Sequence, residues 1–295
     1  MSGGFVYSIG KYLQSNTPSR FHTIYWPAFL LALGLSPPKQ VLTHAHWTLG
    51  RAKMSKSTGN VVNPFFALSR FGVDPMRFYL AHDGGISHDA DYSNEFIVDR
   101  YRKGLQGGLG NLASRVLRGK RWSVPRAVAR YHAGELGQSS SSNESAASYS
   151  RNNFPEAEQV MWSVLSSTPS DARNCYDGLD VSGACKAVLK QVYATNAYLQ
   201  SAAPWTTLSH TNAPLVTVDR TIFLCVESLR LTAIMLLPVM PEKMVSLLDM
   251  IGVAKDRRTW QWCEAGKDDN YGEPPGGVTL GKGLSGVLFP PLPDA

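Results

Sequence analysis

Apolar residues recur every three or four positions from Ser93 to Leu117, where Ile97, Tyr101, Leu105, Leu109, Leu112 and Val116 would stack along one face of a single long helix. The same period returns in Val181, Cys185, Val188, Val192, Asn196 and Leu199, and again across about Asp219 to Leu236, until Pro238 and Pro241 interrupt it and a short helix runs to Ile251. The first third of the chain reads differently. A mostly apolar helix over residues 20–35 is closed by Gly34 and Pro37-Pro38, and Gln40 to Thr48 reads as one strand. A helix from Pro64 to Phe71 follows, then another that Asp74 would cap with Pro75 at its first helical position, broken by Gly84-Gly85. Strand, loop and helix in that order predict a parallel α/β sheet whose site lies beyond the strand ends. From Ser93 onward the pattern predicts a helical bundle.

Two stretches carry no period. Residues 134–153 include Ser139-Ser140-Ser141-Ser142-Asn143-Glu144-Ser145, too polar to bury an apolar face, and are expected to form a flexible insertion between bundle helices. The tail from Tyr271 is rich in glycine and proline and is expected to be extended. No internal repeat is visible.

Composition narrows the class. With 295 residues, 43% of them hydrophobic, the chain forms one large or two medium packed domains. A net charge of +6 and a pI near 9.1 suit an anionic partner, but only weakly. Cys175, Cys185, Cys225 and Cys263 form no C-x-x-C pair and have no histidine at zinc-ligand spacing, so they read as isolated reduced or buried thiols. His44 and His46 share one face of the expected strand, but no third ligand is in view and no metal is assigned to them. The longest apolar run, Ile24 to Leu35, is short for a membrane span and contains Pro27, so no membrane partner is expected. Met1 to Phe5 has neither a secretory core nor an Arg-rich presequence pattern, and a mature or truncated start is expected.

The candidate chemistry lies in Lys53-Met54-Ser55-Lys56-Ser57, between Gly50-Arg51-Ala52 and Thr58-Gly59-Asn60. Two ammonium groups three residues apart, with serine hydroxyls beside them, suit a polyphosphate, although a Lys/Ser run by itself is more often a solvated turn. The full string with the following Gly-Asn-Val-Val resembles the second signature of class I aminoacyl-tRNA synthetases. Its surroundings are similar to the methionine-specific branch of that family. Arg20 to Leu30, Gly72 to Leu80, Gly110-Asn111-Leu112-Ala113-Ser114-Arg115, Ala203-Pro204-Trp205 and the ending Leu280-Gly281-Lys282 with Val287 to Pro291 all fall in the family's order.

The resemblance implies an α/β remnant of a class I, Rossmann-like catalytic domain followed by a mainly α-helical anticodon-binding bundle. It divides the chain into residues 1–92, with the lysine loop and a stem-contact region, a helical anticodon-binding domain over 93–260, and a tail over 261–295. It implies a methionine–tRNA ligase whose substrates are methionine, ATP with Mg2+, and methionine tRNA with a CAU anticodon. Lys56 would stabilise the leaving pyrophosphate, with Lys53, Met54, Ser55 and Ser57 completing the ATP loop. His22 would line the methionine pocket, its other reading being a packed histidine beside Tyr25 and Trp26. Asn111, Arg115 and Trp205 would read the anticodon, although Trp205 alone reads as a bundle-core tryptophan.

Two features depart from the family. The other signature, His-x-Gly-His, is not found upstream of the lysine loop, and neither is the insertion that splits the nucleotide-binding half. Gly10-Lys11 runs into Tyr12 to Ser19 instead of an aspartate close before Arg20. The expectation is a chain inactive alone, from a truncated or incorrectly joined gene or a degenerate paralogue, with the missing catalytic half as a further partner. A catalytically inactive tRNA-binding or interaction protein is the alternative. The expected compartment is the mitochondrial matrix, or else the cytoplasm.

Overall fold

The computed structural model describes residues 6–10, 20–55, 57, 59–86, 88–136, 154–208, 215–273 and 286–292. The expected helix of the first third is a π-helical turn, Phe21–Tyr25, running into α1, Trp26–Ala32, with Pro27 in its first turn. Gly34, at φ 72°, closes it as expected. No residue of either segment is buried, and Phe29 and Leu33 are 65% and 73% exposed. β1, Val6–Gly10, pairs in parallel with β2, Gln40–His44.

The single strand expected from Gln40 to Thr48 is two. After β2 the chain leaves the first sheet, because Ala45 N donates to Ile86 O and His46 N to Asp89 Oδ1. It re-enters as β3, Trp47–Leu49, the centre of a second sheet in which β4, Ala52–Lys53, is antiparallel and β5, Ala90–Tyr92, is parallel. Alternation alone cannot detect a change of partner within a strand.

Asn63 caps α2, Pro64–Phe71, by accepting from Phe65 N at 3.0 Å, and Gly72 at φ 84° ends it. α3, Val73–Asp83, starts one residue before the expected cap. Asp74 does not cap its own helix. Buried to 2% exposure, it accepts from Lys243 N at 2.7 Å through Oδ2 and so caps α11, Pro241–Met250, from outside.

The expected long helix is continuous from residue 94 to 117, but not uniform. α4, Asn94–Arg100, capped by Ser93, passes through a π-helical segment, Tyr101–Gly110, into α5, Asn111–Leu117. All six residues of its apolar stripe are buried. Glycines make the π segment close-packed: a Cβ on Gly104 would lie 3.4 Å from Leu189, on Gly108 3.3 Å from Tyr193, and on Gly110 3.4 Å from Phe289.

The remaining described helices are α6, Val124–His132; α7, Glu156–Asp177; α8, Val181–Ala202; α9, Pro204–Thr207; and α10, Leu215–Leu236. α7 was not expected, since Pro169 and scattered serines mask its period. α10 is the hub, buried at every residue from Val218 to Leu236 and packed against α6, α7, α8 and α11. It is not apolar throughout: its buried charges are paired, Asp219 with Arg126 and Arg130, Arg220 with Glu158, and Glu227 with Arg230. Of the expected insertion, residues 137–153 lie outside the described ones, as do 274–285 of the tail.

Direct bonds join the two parts. Arg77 donates to Val239 O and Pro238 O at 2.8 Å each, and Ser182 Oγ to His82 O at 2.6 Å. Arg100 binds both oxygens of Asp83 at 2.9 and 2.7 Å. Burial raises the Asp83 pKa, but hydrogen bonds from His82 and Arg100 outweigh it and hold the value at about 2. Leu288 and Phe289 are buried, Tyr101 Oη donates to Pro290 O at 2.6 Å, and Leu292 packs against the apolar clusters of both parts.

Candidate functional site

The lysine loop is carried by a tight hairpin. Leu49 pairs with Ala52, so Gly50 and Arg51 alone make the turn, with φ 60° and 61°, the left-handed geometry that follows the twist of two antiparallel strands. Asp91 ties this turn to the sheet, accepting from Thr48 Oγ1 at 2.7 Å and Arg51 N at 2.9 Å. These two bonds hold its carboxyl below the ordinary aspartate range. Lys53, exposed at the end of β4, projects from that base. Beyond it Ser55 pairs with Asn60, and Ser55 Oγ lies 2.7 Å from Ser57 Oγ. The arrangement is a narrow finger of hydroxyls and an ammonium. Lys56 lies outside the described residues, and Met54 is half-buried in the finger.

His22 stands on the separate π-turn before α1. With Phe21, Tyr25, Trp26 and Phe29 it lines an open pocket of about 450 Å³. Its walls are almost wholly aromatic, fit for a small apolar side chain. His44 Nδ1 lies 2.8 Å from Ala45 O, and the His46 ring approaches Asp89 at 4.0 Å. Among the described residues no group of three His, Cys, Asp or Glu side chains could hold a metal ion. Cys185, Cys225 and Cys263 are buried, Cys175 is half-buried, and all four are free thiols. No described helix is long and apolar enough to cross a membrane.

Asn111 and Arg115 lie one turn apart on α5, and α9 brings Trp205 to them. Ala203 takes the left-handed conformation, φ 40° and ψ 56°, so α8 ends abruptly and Pro204 starts α9 with Trp205 second in it. The Arg115 guanidinium lies 4.8 Å from the centroid of the Trp205 ring. Sequence reasoning missed the opposite wall. Arg115 Nη2 donates to Gln200 Oε1 at 2.8 Å, and Asn111 Nδ2 to Asn196 Oδ1 at 3.3 Å. The only sequence signal for that wall is a pair of amides four residues apart on α8, and Asn196 had read as part of the apolar stripe. Arg121 Nη1 donates to Trp205 O at 3.2 Å, and the turn holding Arg118, Lys120 and Arg121 adds positive charge beside the site. An aromatic face, amides and cations on one patch suit single-stranded nucleic acid.

Two family models match the chain, and the first runs past residue 92 to the end of the long helix. The family model for class I tRNA synthetases (M) matches residues 10–117, and the model for the anticodon binding domain of methionyl tRNA ligase matches residues 150–271. A probable mitochondrial methionine–tRNA ligase of Neurospora crassa is 42% identical over 289 residues, 98% of this chain and 43% of the relative. The mitochondrial methionine–tRNA ligase of Bos taurus is 32% identical over 92% of this chain and 45% of its own. Mycobacterium tuberculosis methionyl-tRNA synthetase, solved in complex with methionyl-adenylate, superposes with a TM-score of 0.72 at 26% identity, covering 97% of this chain and 50% of that one. The chain thus spans less than half the length of these curated relatives. With one family model over residues 10–117, a second over 150–271, and relatives of one kind along nearly its whole length, the chain belongs to the methionyl-tRNA synthetase family.

Proposed function

We propose that this chain is the C-terminal part of a methionine–tRNA ligase of the mitochondrial matrix. In this reading residues 1–92 close the catalytic domain, 93–260 bind the anticodon and 261–295 form the tail. The activated methionine is made from ATP, entering as its Mg2+ complex, and is passed to the tRNA. Negative charge develops on the leaving pyrophosphate, and a preorganised cation beside it lowers the barrier. Lys56 has that role, with Lys53, three residues before it in the sequence, on the tied-down hairpin and the Ser55 and Ser57 hydroxyls 2.7 Å apart as further donors. The aromatic pocket around His22 receives the methionine side chain. The mitochondrial relatives in Neurospora crassa and Bos taurus support that compartment.

Anticodon binding is carried by one observation: an Arg115–Trp205 pair at 4.8 Å beside Asn111. Bases of a splayed CAU loop stack on the indole and meet the amide and guanidinium with their edges. Replacing Trp205 with alanine removes the stacking face and should cost about 1–3 kcal/mol in binding a CAU stem-loop. A loop with an unrelated anticodon should be hardly affected, while added salt weakens both. Equal binding of CAU and scrambled loops by the folded chain would leave non-specific charge attraction and refute the reading.

A further inference from the structure

An asparagine side chain reads a base in one of two opposite ways, since Oδ1 accepts and Nδ2 donates. At Asn111 the choice is made on the facing helix. One terminal atom of Asn196 lies 3.1 Å from Gly108 O and 3.1 Å from Val192 O. Both partners only accept, so that atom is the amide nitrogen and both its hydrogens are committed. Asn196 Oδ1 is thereby turned to α5, where it faces the Asn111 amide at 3.3 Å. An acceptor in that place demands a donor, so Asn111 directs one Nδ2 hydrogen to Asn196 and presents Oδ1 on the opposite side of its amide. Gly108 belongs to the π segment, which makes the orientation a property of the fold rather than of Asn111 itself.

We propose that Asn196 is a positioning residue that sets the hydrogen-bond polarity of Asn111 and thereby selects cytosine over uracil in the anticodon. The inference rests on the reading of Asn111 and Arg115 as anticodon contacts. Cytosine carries an exocyclic amine that donates, at the position where uracil carries an accepting oxygen. A fixed Oδ1 accepts from that amine and repels the uracil oxygen. Arg115, which only donates, faces the ring nitrogen and carbonyl of cytosine. Its guanidinium is itself held, by Gln200 Oε1 at 2.8 Å and by the Trp205 face. Asn196 and Gln200 are one helical turn apart and so align the two readers from a single surface.

The test titrates the 295-residue chain with anticodon stem-loops carrying CAU, UAU and a scrambled triplet, by fluorescence anisotropy. The native chain is expected to prefer CAU to UAU by tenfold or more. Asn196→Leu removes the oxygen, lets the Asn111 amide turn over, and should shrink that preference by about tenfold. Asn196→Asp keeps an accepting oxygen towards Asn111 while losing the donors to Gly108 and Val192. It should lower the melting temperature yet keep the CAU:UAU ratio. Asn196→Ala, read in the same way, replaces the leucine variant should that one not fold. A leucine or alanine variant that weakens CAU and UAU by the same factor would give Asn196 a merely structural role and overturn the proposal, as would a native chain that prefers CAU to the scrambled loop but not to UAU. A native chain that does not separate CAU from the scrambled loop would overturn the anticodon reading as well.

Discussion

Replacing Arg230 with methionine tests the ion pair on which the C-terminal part of the bundle is hung. Arg230 and Glu227 both have 0% side-chain exposure. The guanidinium binds Glu227 through Nε–Oε2 at 2.8 Å and Nη2–Oε1 at 2.6 Å, and donates to Trp262 O at 2.7 Å and Glu264 O at 2.8 Å. Methionine keeps an unbranched apolar stem but no donors. Glu227 would retain Gly266 N at 2.7 Å and Tyr271 Oη at 2.6 Å, with its counter-charge gone and two carbonyls unfilled. Breaking one side of a buried pair costs about 3–5 kcal/mol, against about 0–1 for a surface pair. Urea unfolding followed by tryptophan fluorescence reads the loss directly, because Trp260 and Trp262 sit on the tethered segment. With an m-value of about 3 kcal/mol/M or less, the midpoint should fall by about 1 M or more.

The pH dependence should change sign with the same substitution. Burial raises the Glu227 pKa, yet the Arg230 charge and the hydrogen bonds from Arg230, Tyr271 and Gly266 win, and the folded value is lowered. A lowered carboxyl contributes stability that is present above the ordinary glutamate value and lost as pH falls through the folded one. Without Arg230, burial dominates, the folded value rises, and the variant should lose stability as pH rises towards neutrality. The double variant Arg230→Met/Glu227→Gln removes the orphaned charge and should recover part of the loss. A midpoint shift below about 0.3 M in Arg230→Met would show that the pair is not holding residues 260–271, and the reasoning would be wrong.

Three further outcomes are expected. With the complete catalytic domain restored, Lys56→Ala should slow adenylate formation by about 10²–10³ and leave anticodon binding intact, and an unchanged rate in pre-steady-state assays would remove Lys56 from the mechanism. The 295-residue chain alone should give no methionine-dependent ATP–pyrophosphate exchange above background, because it contains no His-x-Gly-His string, and robust exchange would contradict that. Asp74→Ala should destabilise the chain by about 0.5–2 kcal/mol through loss of the cap on Lys243 N, and a urea midpoint equal to that of the native chain would deny the cap any role.

Local chemistry made much of the fold legible. The six-residue stripe from Ile97 to Val116 is buried throughout, Pro64–Phe71 is a helix at its expected bounds, and Pro241 starts the short helix after the Pro238 turn. Each depends on residues within one or two turns of each other. Glu156–Asp177 escaped because a proline in a helical pattern ordinarily signals a break. Here Pro169 is buried in the bundle, and packing keeps the helix intact around it. β5 escaped because three residues with aspartate at the centre have no strand signature, and they pair only because Trp47–Leu49 offers them an edge.

The sequence by itself determined the family, the lysine string, and the placing of Asn111, Arg115 and Trp205 in one order along the chain. Such features are written in residue identity and spacing. Only the tertiary structure decided what those residues face. Asp74, which read as a local cap, binds a helix 169 residues away, and Asp91, unremarked in the sequence, pins the hairpin from 40 residues beyond Arg51. Asn196, read as one more position in an apolar stripe, meets Asn111 across 85 residues and fixes which end of its amide is offered. A short polar side chain bonds to whatever the fold brings within hydrogen-bond reach, and that neighbour is set by the packing of whole helices rather than by adjacent sequence.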